Sequence, residues 1–543
     1  MLRAPVALVI AALALPTAAQ ERLTETIEVR VVNIDAVVTG RDGNRVTGLT
    51  AADFEVVDDG QTQQITNFLE IRGGEPVGAG DPGTAAPAPA SRRFVFFVDG
   101  YSIHPSNRDL YVRALRDFVE KQLQPGDLAS IVSWNTELFI LAPLTSDRGV
   151  LRAAIDKVAR AGSGAGARTD LSRVQRACTQ SVDRAMNGSI LFIHAYEECI
   201  NIAKGETMVT ALSSRRLLNA MELAMTTIAG AEGKKYFVLA GARLPRSPGI
   251  EIYQWVNQLF IPHLRGFDAP IRRPDQDDEQ LEFLERVARV ANAHGVTLYT
   301  IAATISSDLL GTHYESAVDD LGADQANQAN TFDAFEKLSS LTGGFSVHRP
   351  SDFGQALESI ARESESYYSL GYRPRQPGSG DRPITIRMKS RDYTVRARRS
   401  HALKTADDLM TDKVVANIFR PVAAGAWRPV VATAAVARDG KTFKVPFEVT
   451  IPPRLTLLPA GNELAGGYTV YVAVGTQQGA ISTVFRQPQP LRIAAAEEKA
   501  FRKQPLLFGA TLTVRPGESI LSIGVVDHVS GEQAFTRTTI AAR

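Results

Sequence analysis

Residues Phe94-Val95-Phe96-Phe97-Val98 form an unbroken apolar run that ends on one acid, Asp99. A strand with one wet face alternates apolar and polar residues, so a run with no polar face has to be covered on both sides. The chain that follows supplies the covers. Leu110, Ala114, Leu115, Phe118, Val119 and Leu123 recur at helical spacing over 107–122, Pro125-Gly126-Asp127 stops that helix, and Leu128–Trp134 reads as the next strand. Helices near 148–160, 208–229, 279–294, 331–341 and 351–365 alternate with the strands Tyr236–Ala240 and Val296–Ile301. Over 92–366 this predicts an α/β, doubly wound, largely parallel sheet.

The flanks have the other period. In 20–72, Ile27-Val29-Val31, Val32-Ile34-Ala36-Val38, Phe54-Val56 and Ile65-Phe68 are strand-like, with a turn at Arg41–Asn44. Residues 73–91 are rich in Gly, Pro and Ala and read as a linker. In 367–400, Tyr367–Tyr372, Ile384-Ile386-Met388 and Tyr393-Val395-Ala397 read as three more strands. Each group alone is too small for a stable sandwich, so the two are expected to form one β-domain into which the α/β part is inserted. The linker would give the inserted part freedom to swing. Residues 401–412 read as a polar connector, and the short alternating segments of 413–543, such as Tyr468-Val470-Val472-Val474 and Ile520-Ile523-Val525, as a β-sandwich.

The N-terminus carries a destination. Arg3, the apolar stretch Pro5–Leu15 and the small residues Thr17-Ala18-Ala19 have the pattern of a signal peptide over 1–19, which predicts a secreted or periplasmic protein with no integral membrane segment in its mature form. Sixty Lys and Arg stand against fifty-nine acids, a net charge of +1, which gives no electrostatic footprint for nucleic acid.

Several segments together carry a resemblance: VNIDAVVTGRDGNRVTGLTAADFEVVDDGQTQQITNF ahead of the α/β part, FVFFVDGYS at its first strand, then LQPGDLASIVSW, ANAHGVTLYTI, LSSLTGGFSV and SYYSLGYRP. In this order they resemble the von Willebrand factor type A domain and, over about two-thirds of the chain, the exported proteins related to it in acidobacteria. The resemblance implies a binding crevice at the sheet's C-terminal edge, around Asp99–Asn107, Ala161–Leu171 and Gly241–Gly249. The family's site binds Mg²⁺ or Mn²⁺ through Asp-x-Ser-x-Ser, a distant Thr and a second Asp, all hard oxygen donors. Here Asp99 and Thr169 match, whereas Tyr101 and Ile103 hold the Ser positions, Ser102 is one residue out of register, and Gly241 replaces the second Asp. The metal site is therefore expected to be degenerate and no cofactor is expected, with Tyr101, Ser102, His104 and Arg243 left as crevice contacts for an unidentified protein partner.

Other candidates are weaker. Cys178 and Cys199, the chain's two cysteines, are read first as a disulfide, with Cys-His chemistry beside His194 and metal ligation as alternatives. The segment around them, 171–205, has few large apolar residues beyond Ile190–Ile193, so it is expected to need the bond to hold its shape. Gly162–Gly166 lacks the ending of a phosphate loop, and Asp275, Asp277, Asp278 and Glu279 are expected to cap the helix they precede. The chain is thus expected to be a non-enzymatic interaction or adhesion module. Two alternatives are a hydrolase with an Asp/Ser/His site in the crevice and a structural scaffold.

Overall fold

Alternation in the N-terminal segment puts Ile34, Ala36 and Val38 on one face of a strand, β1 (Val32–Gly40), and all three are buried. The computed structural model describes residues 31–77, 91–160, 171–263, 277–303, 320–348, 353–374, 380–422, 425–476 and 479–543. The signal-peptide reading of 1–19, the strand residues Ile27 and Val29, most of the 73–91 linker, Gly162–Gly166, Thr169 and Asp275 lie outside them. The chain falls into two compact units, Arg30–Met225 with Gly233–Leu403, and Thr226–Glu232 with Lys404–Arg543.

In the first unit β1 is followed by β2 (Phe54–Asp58), β3 (Gln61–Gln63), β4 (Ile65–Arg72) and β5 (Glu75–Val77). The last of these occupies the start of the stretch read as linker, where it pairs back onto β4. The apolar run Phe94–Val98 lies in β6 (Arg92–Asp99), with every residue of the run wholly buried. After it come α1 (Pro105–Lys121), β7 (Leu128–Trp134), β8 (Leu138–Thr145), α2 (Arg148–Arg160), α3 (Leu171–Met186) and α4 (Phe192–Ala229). Then follow β9 (Lys234–Gly241), α5 (Ile250–Phe260), α6 (Asp277–Ala293), β10 (Val296–Ala302), α7 (Asp320–Leu341), β11 (Ser346–Val347) and α8 (Phe353–Glu365).

The central sheet runs β11-β10-β9-β6-β7-β8 and is mixed: neighbours are parallel except β8, which runs antiparallel to β7 at the edge. The molecule as a whole is mixed α/β with several antiparallel sheets beside this one. Phe94, Phe96 and Val98 share a core with Tyr111, Leu115 and Phe118 of α1 and with Leu357 and Ile360 of α8. The opposite parity, Val95 and Phe97, is as deeply buried, with Phe97 packed on Phe237 at 5.5 Å between ring centroids.

A single residue, Ser366, separates α8 from β12 (Tyr367–Tyr372), which lies between β1 and β4. Further on, β13 (Gly380–Met388) pairs with β2, β14 (Tyr393–Ala397) with β1, and β15 (Ser400–Leu403) with β13. Strands from before and after the α/β part therefore build two shared sheets, and Ile34, Val56, Leu370 and Ile384 meet in one core between them. The α/β part does not hang freely from these sheets. Glu363 of α8 is 8% exposed; it accepts from Tyr299 Oη of β10 at 2.9 Å and is paired with Arg396 of β14, with Arg45 at 3.9 Å. Arg92 is bound to both oxygens of Asp127, to Ser364 Oγ at 2.9 Å and to Glu365 at 2.9 Å. Buried charges that satisfy one another this closely resist separation, and the expected swing has no slack at the Ser366 junction.

The structure places 171–205 in two helices. The helix expected near 208–229 is the 38-residue α4, and it packs with α3 and α5 around its own core. Tyr253, Trp255, Val256 and Phe260 of α5 join Tyr196 and Ile200 of α4 in that core. Cys178 of α3 and Cys199 of α4 are joined within that core, both wholly buried.

In the second unit the stretch read as a connector opens α9 (Ala406–Phe419), started by a capping box in which Thr405 and Asp408 satisfy each other's backbone N–H groups. The strands β16 (Val430–Thr433), β17 (Ala437–Asp439), β18 (Thr442–Ile451), β19 (Leu458–Ala460), β20 (Glu463–Gly475), β21 (Phe485–Ala494), β22 (Leu506–Val514), β23 (Gly517–Asp527) and β24 (Gln533–Ala542) form two antiparallel sheets. Val445, Val449, Val470, Val472, Leu512 and Ile523 lie in the core they share. Met410, Val414 and Ile418 of α9 pack on Tyr471, Ala473 and Phe535. Gly524 permits that approach, because a Cβ there would meet Val414 Cγ2 at 2.5 Å.

Two expectations follow. Glu363→Ala strands Tyr299 and Arg396 without their acceptor and should cost about 3–5 kcal/mol of unfolding free energy in urea titration; a loss under about 1 kcal/mol would refute the weld. Replacing both Cys178 and Cys199 with Ser should cost about 3 kcal/mol through loop entropy while leaving far-ultraviolet circular dichroism unchanged, because the three-helix core remains. A large loss of helix signal would show that the bond, not the core, holds the segment.

Candidate functional site

Parallel strands of one sheet end on the same edge, and in open α/β sheets that edge forms the binding crevice. Here that edge carries Asp99 at the end of β6, Gly241 at the end of β9, and Ala303 just past β10. Ala303 N donates to Gly241 O at 2.7 Å and Asn107 Nδ2 to Ala303 O at 3.0 Å, so the first turn of α1 is tied to the end of β10. Asn107 was not singled out by its sequence context; nothing local marks a residue whose partner lies 196 positions away.

Asp99 is 2% exposed, and both of its oxygens are taken up by one residue. Ser102 N donates to Oδ1 at 3.2 Å and Ser102 Oγ to Oδ2 at 2.5 Å, while Ala242 N donates to Ser102 Oγ at 2.9 Å. The register that looked wrong for Ser102 arises because the chain turns tightly after β6: Ser102 N and Ile103 N both point back at Asp99 O, at 3.3 and 3.1 Å. A turn brings the third residue on, rather than the second or fourth, over the carboxylate. Ile103 points instead into the core and is wholly buried. Burial raises the Asp99 carboxyl to about 6, with the Ser102 hydrogen bonds opposing that rise.

Gly241 closes the other side. A Cβ there would lie 3.4 Å from Asp99 Cβ and 3.6 Å from Asp99 Oδ2, so the β9 end runs directly against the carboxyl group. Of the family's ligand positions, Asp99 is the one carboxylate among the described residues, and Thr169 lies outside them. No group of three or more His, Cys, Asp or Glu side chains that could hold a metal ion occurs among the described residues.

The remaining candidates are scattered around this pair. Tyr101 is half-buried at the rim, its N–H donating to Trp134 O at 3.3 Å. His104 is exposed and caps α1, its Nδ1 accepting from Ser106 N at 3.3 Å. The structure thus unites Asp99 with Ser102, and turns the His104 ring towards Ser106. Arg243, expected as a basic rim contact, has only 15% of its side chain exposed and lies 3.5 Å from Glu251 in the first turn of α5. Glu251 is pushed up by burial and held down in part by Arg243. Downstream, α6 begins at Asp277, and Glu279 is ion-paired with Arg215 of α4.

No family model matches the chain, and no curated protein matches it. Solved structures are similar at a distance. Proximal thread matrix protein 1 from the mussel byssus aligns at 11% identity and a TM-score of 0.23, over 51% of this chain and only 47% of that one. An aerotolerance-related membrane protein from Bacteroides fragilis aligns at 9% identity and a TM-score of 0.23, over 50% of this chain and 98% of that one. The vWF domain of the type V pili tip protein Mfa5 from Porphyromonas gingivalis aligns at 10% identity and a TM-score of 0.23, over 50% of this chain and 94% of that one. Likeness at that level carries no inference about what this chain binds.

The buried carboxyl makes a pH prediction. A carboxyl raised from 3.8 to about 6 in the native state holds its proton more tightly there than when unfolded, so its contribution is greatest in acid and is lost as pH rises from about 4 to about 6. Asp99→Asn removes that titration. The unfolding free energy of the variant relative to the parent should therefore rise by about 2 kcal/mol between pH 4 and pH 7. Parallel stability curves for the two proteins would refute it.

Proposed function

We propose that the chain is an exported, non-enzymatic interaction module of the von Willebrand factor A kind, its doubly wound α/β part meeting a protein partner at the crevice over β6 and β9. The observation that carries this reading is the closed Asp99–Ser102–Ala242 chain of hydrogen bonds. It fixes the crevice floor and turns the Asp99 carboxylate inward, so recognition falls to the rim, where half-buried Tyr101 offers an aromatic anchor beside exposed His104. The disulfide is compatible with an oxidising compartment, which supports export.

The residues do not fit the family's dication. A hard ion of charge +2 needs several oxygens to replace its water. Here Asp99 is capped by Ser102, Ile103 offers no donor, and Gly241 has no side chain. No step of the proposed binding uses a metal.

Two measurements test this. Millimolar Mg²⁺ or Mn²⁺ should leave the melting temperature unchanged, whereas a native-state site filled at 100 times its Kd would add about 2.7 kcal/mol. Capture from envelope extract should retain a protein with the parent chain and lose it with Tyr101→Ala. A partner held equally by that variant would place binding on the β-domains, and turnover of ester or peptide substrates lost in Ser102→Ala would replace this reading with a hydrolase.

A further inference from the structure

Helix α4 is long enough to have two occupations. One face closes the disulfide-bearing core, with Ala195, Cys199 and Ala203 buried. The other face is exposed and runs through Glu197, Asn201, Gly205, Met208, Leu212 and Arg216, a spacing of three and four that keeps it in line. Its middle is apolar: Met208, Val209 and Leu212 are 55%, 62% and 46% exposed. Single exposed apolar residues are ordinary; here three adjoin on one helix face and make a continuous apolar strip.

Gly205 adds a second observation. Glycine weakens a helix interior relative to alanine, so it needs a reason, and the described chain supplies none. A Cβ at Gly205 would meet nothing within 4 Å, and its φ is not in the left-handed region. What Gly205 does create is a notch in the exposed face, one turn before Met208.

The strip is complementary to itself. A two-fold axis between Met208 and Val209 sets a second α4 antiparallel to the first, so that residue positions summing to the same total face each other. Leu212 of each copy then enters the Gly205 notch of the other, and Met208 meets Val209. Arg216 comes opposite Asn201, one helical turn from Glu197, and the symmetry makes the contact twice. Neither Glu197 nor Arg216 has an ion-pair partner among the described residues. The acidic end of each strip therefore meets the basic end of the other, as a closed two-fold interface requires. We propose that this face of α4 is the docking surface for a second copy of the same chain, in an antiparallel helix pair centred on Met208 and Val209.

Sedimentation equilibrium of the full chain over about 1–100 µM tests it. The parent should dimerise in this range. Leu212→Glu should weaken the dimer at least about tenfold with unchanged circular dichroism, because position 212 is exposed in the single chain. Glu197→Arg and Arg216→Glu should each weaken self-association, and an equimolar mixture of the two should restore it as a heterodimer, since both cross-pairs then become opposite in sign. A parent that stays monomeric throughout overturns the proposal, including one that instead binds a different protein on this face. So does a dimer that Leu212→Glu leaves intact, or a mixture of the two charge variants that fails to pair.

Discussion

The carboxylate of Glu363 is held between Tyr299 of the central sheet and Arg396 of the flanking β-strands, with Arg45 close behind. A buried carboxylate is costly unless partners surround it, and removing any of them leaves the rest exposed to that cost. This makes the last turn of α8 a fixed point. On the neighbouring residues, Ser364 and Glu365 bind Arg92, which in turn holds Asp127, so the start of β6 and the loop before β7 are tied to the same turn. The polypeptide then passes through Ser366 alone before entering β12. At this end of the α/β part, paired charge and a one-residue connection tie it to the flanking strands.

The crevice shows the opposite treatment of the same physical problem. Asp99 is as buried as Glu363, yet it has a hydroxyl and a backbone N–H for company rather than a guanidinium. Hydrogen bonds from neutral donors only partly repay lost hydration, so the group is raised to about 6. A dication would supply the missing positive charge, but the tight turn has already committed both carboxylate oxygens to Ser102, and Gly241 brings backbone where a second acid would stand.

The helical addition between β8 and β9 follows a third logic. Its helices α3 and α4 contribute mostly small and aliphatic groups to their common core, and α5, arriving from beyond β9, contributes Tyr253, Trp255 and Phe260. The disulfide therefore sits inside a packed core, closing a loop of the chain between α3 and α4. Among the described residues no helix is long and apolar enough to cross a membrane. Even the 38-residue α4 is divided into a core-facing side and an exposed outer side that carries Glu197 and Arg216.

Local pattern was enough for the elements whose burial is written in their own residues. The two-sided run of β6, the alternation of β1, and the helical spacing of α1 and α8 could all be read directly, because each records which faces must leave water. Helix α9 carried a readable signal as well, the Thr405–Asp408 box, beneath a polar first turn that looked like a connector. At the site, sequence marked Asp99 as the acid at the strand end and raised Ser102 as a residue out of place. Only the turn geometry decided that Ser102 caps Asp99, that Ile103 goes inward, and that Arg243 is spent on Glu251. The partners of Glu363 and Asn107 lie far away in the chain or on other strands, and no local periodicity encodes such distances. Sequence fixes which groups must be buried; which charges and donors meet them there is settled only when the sheets close.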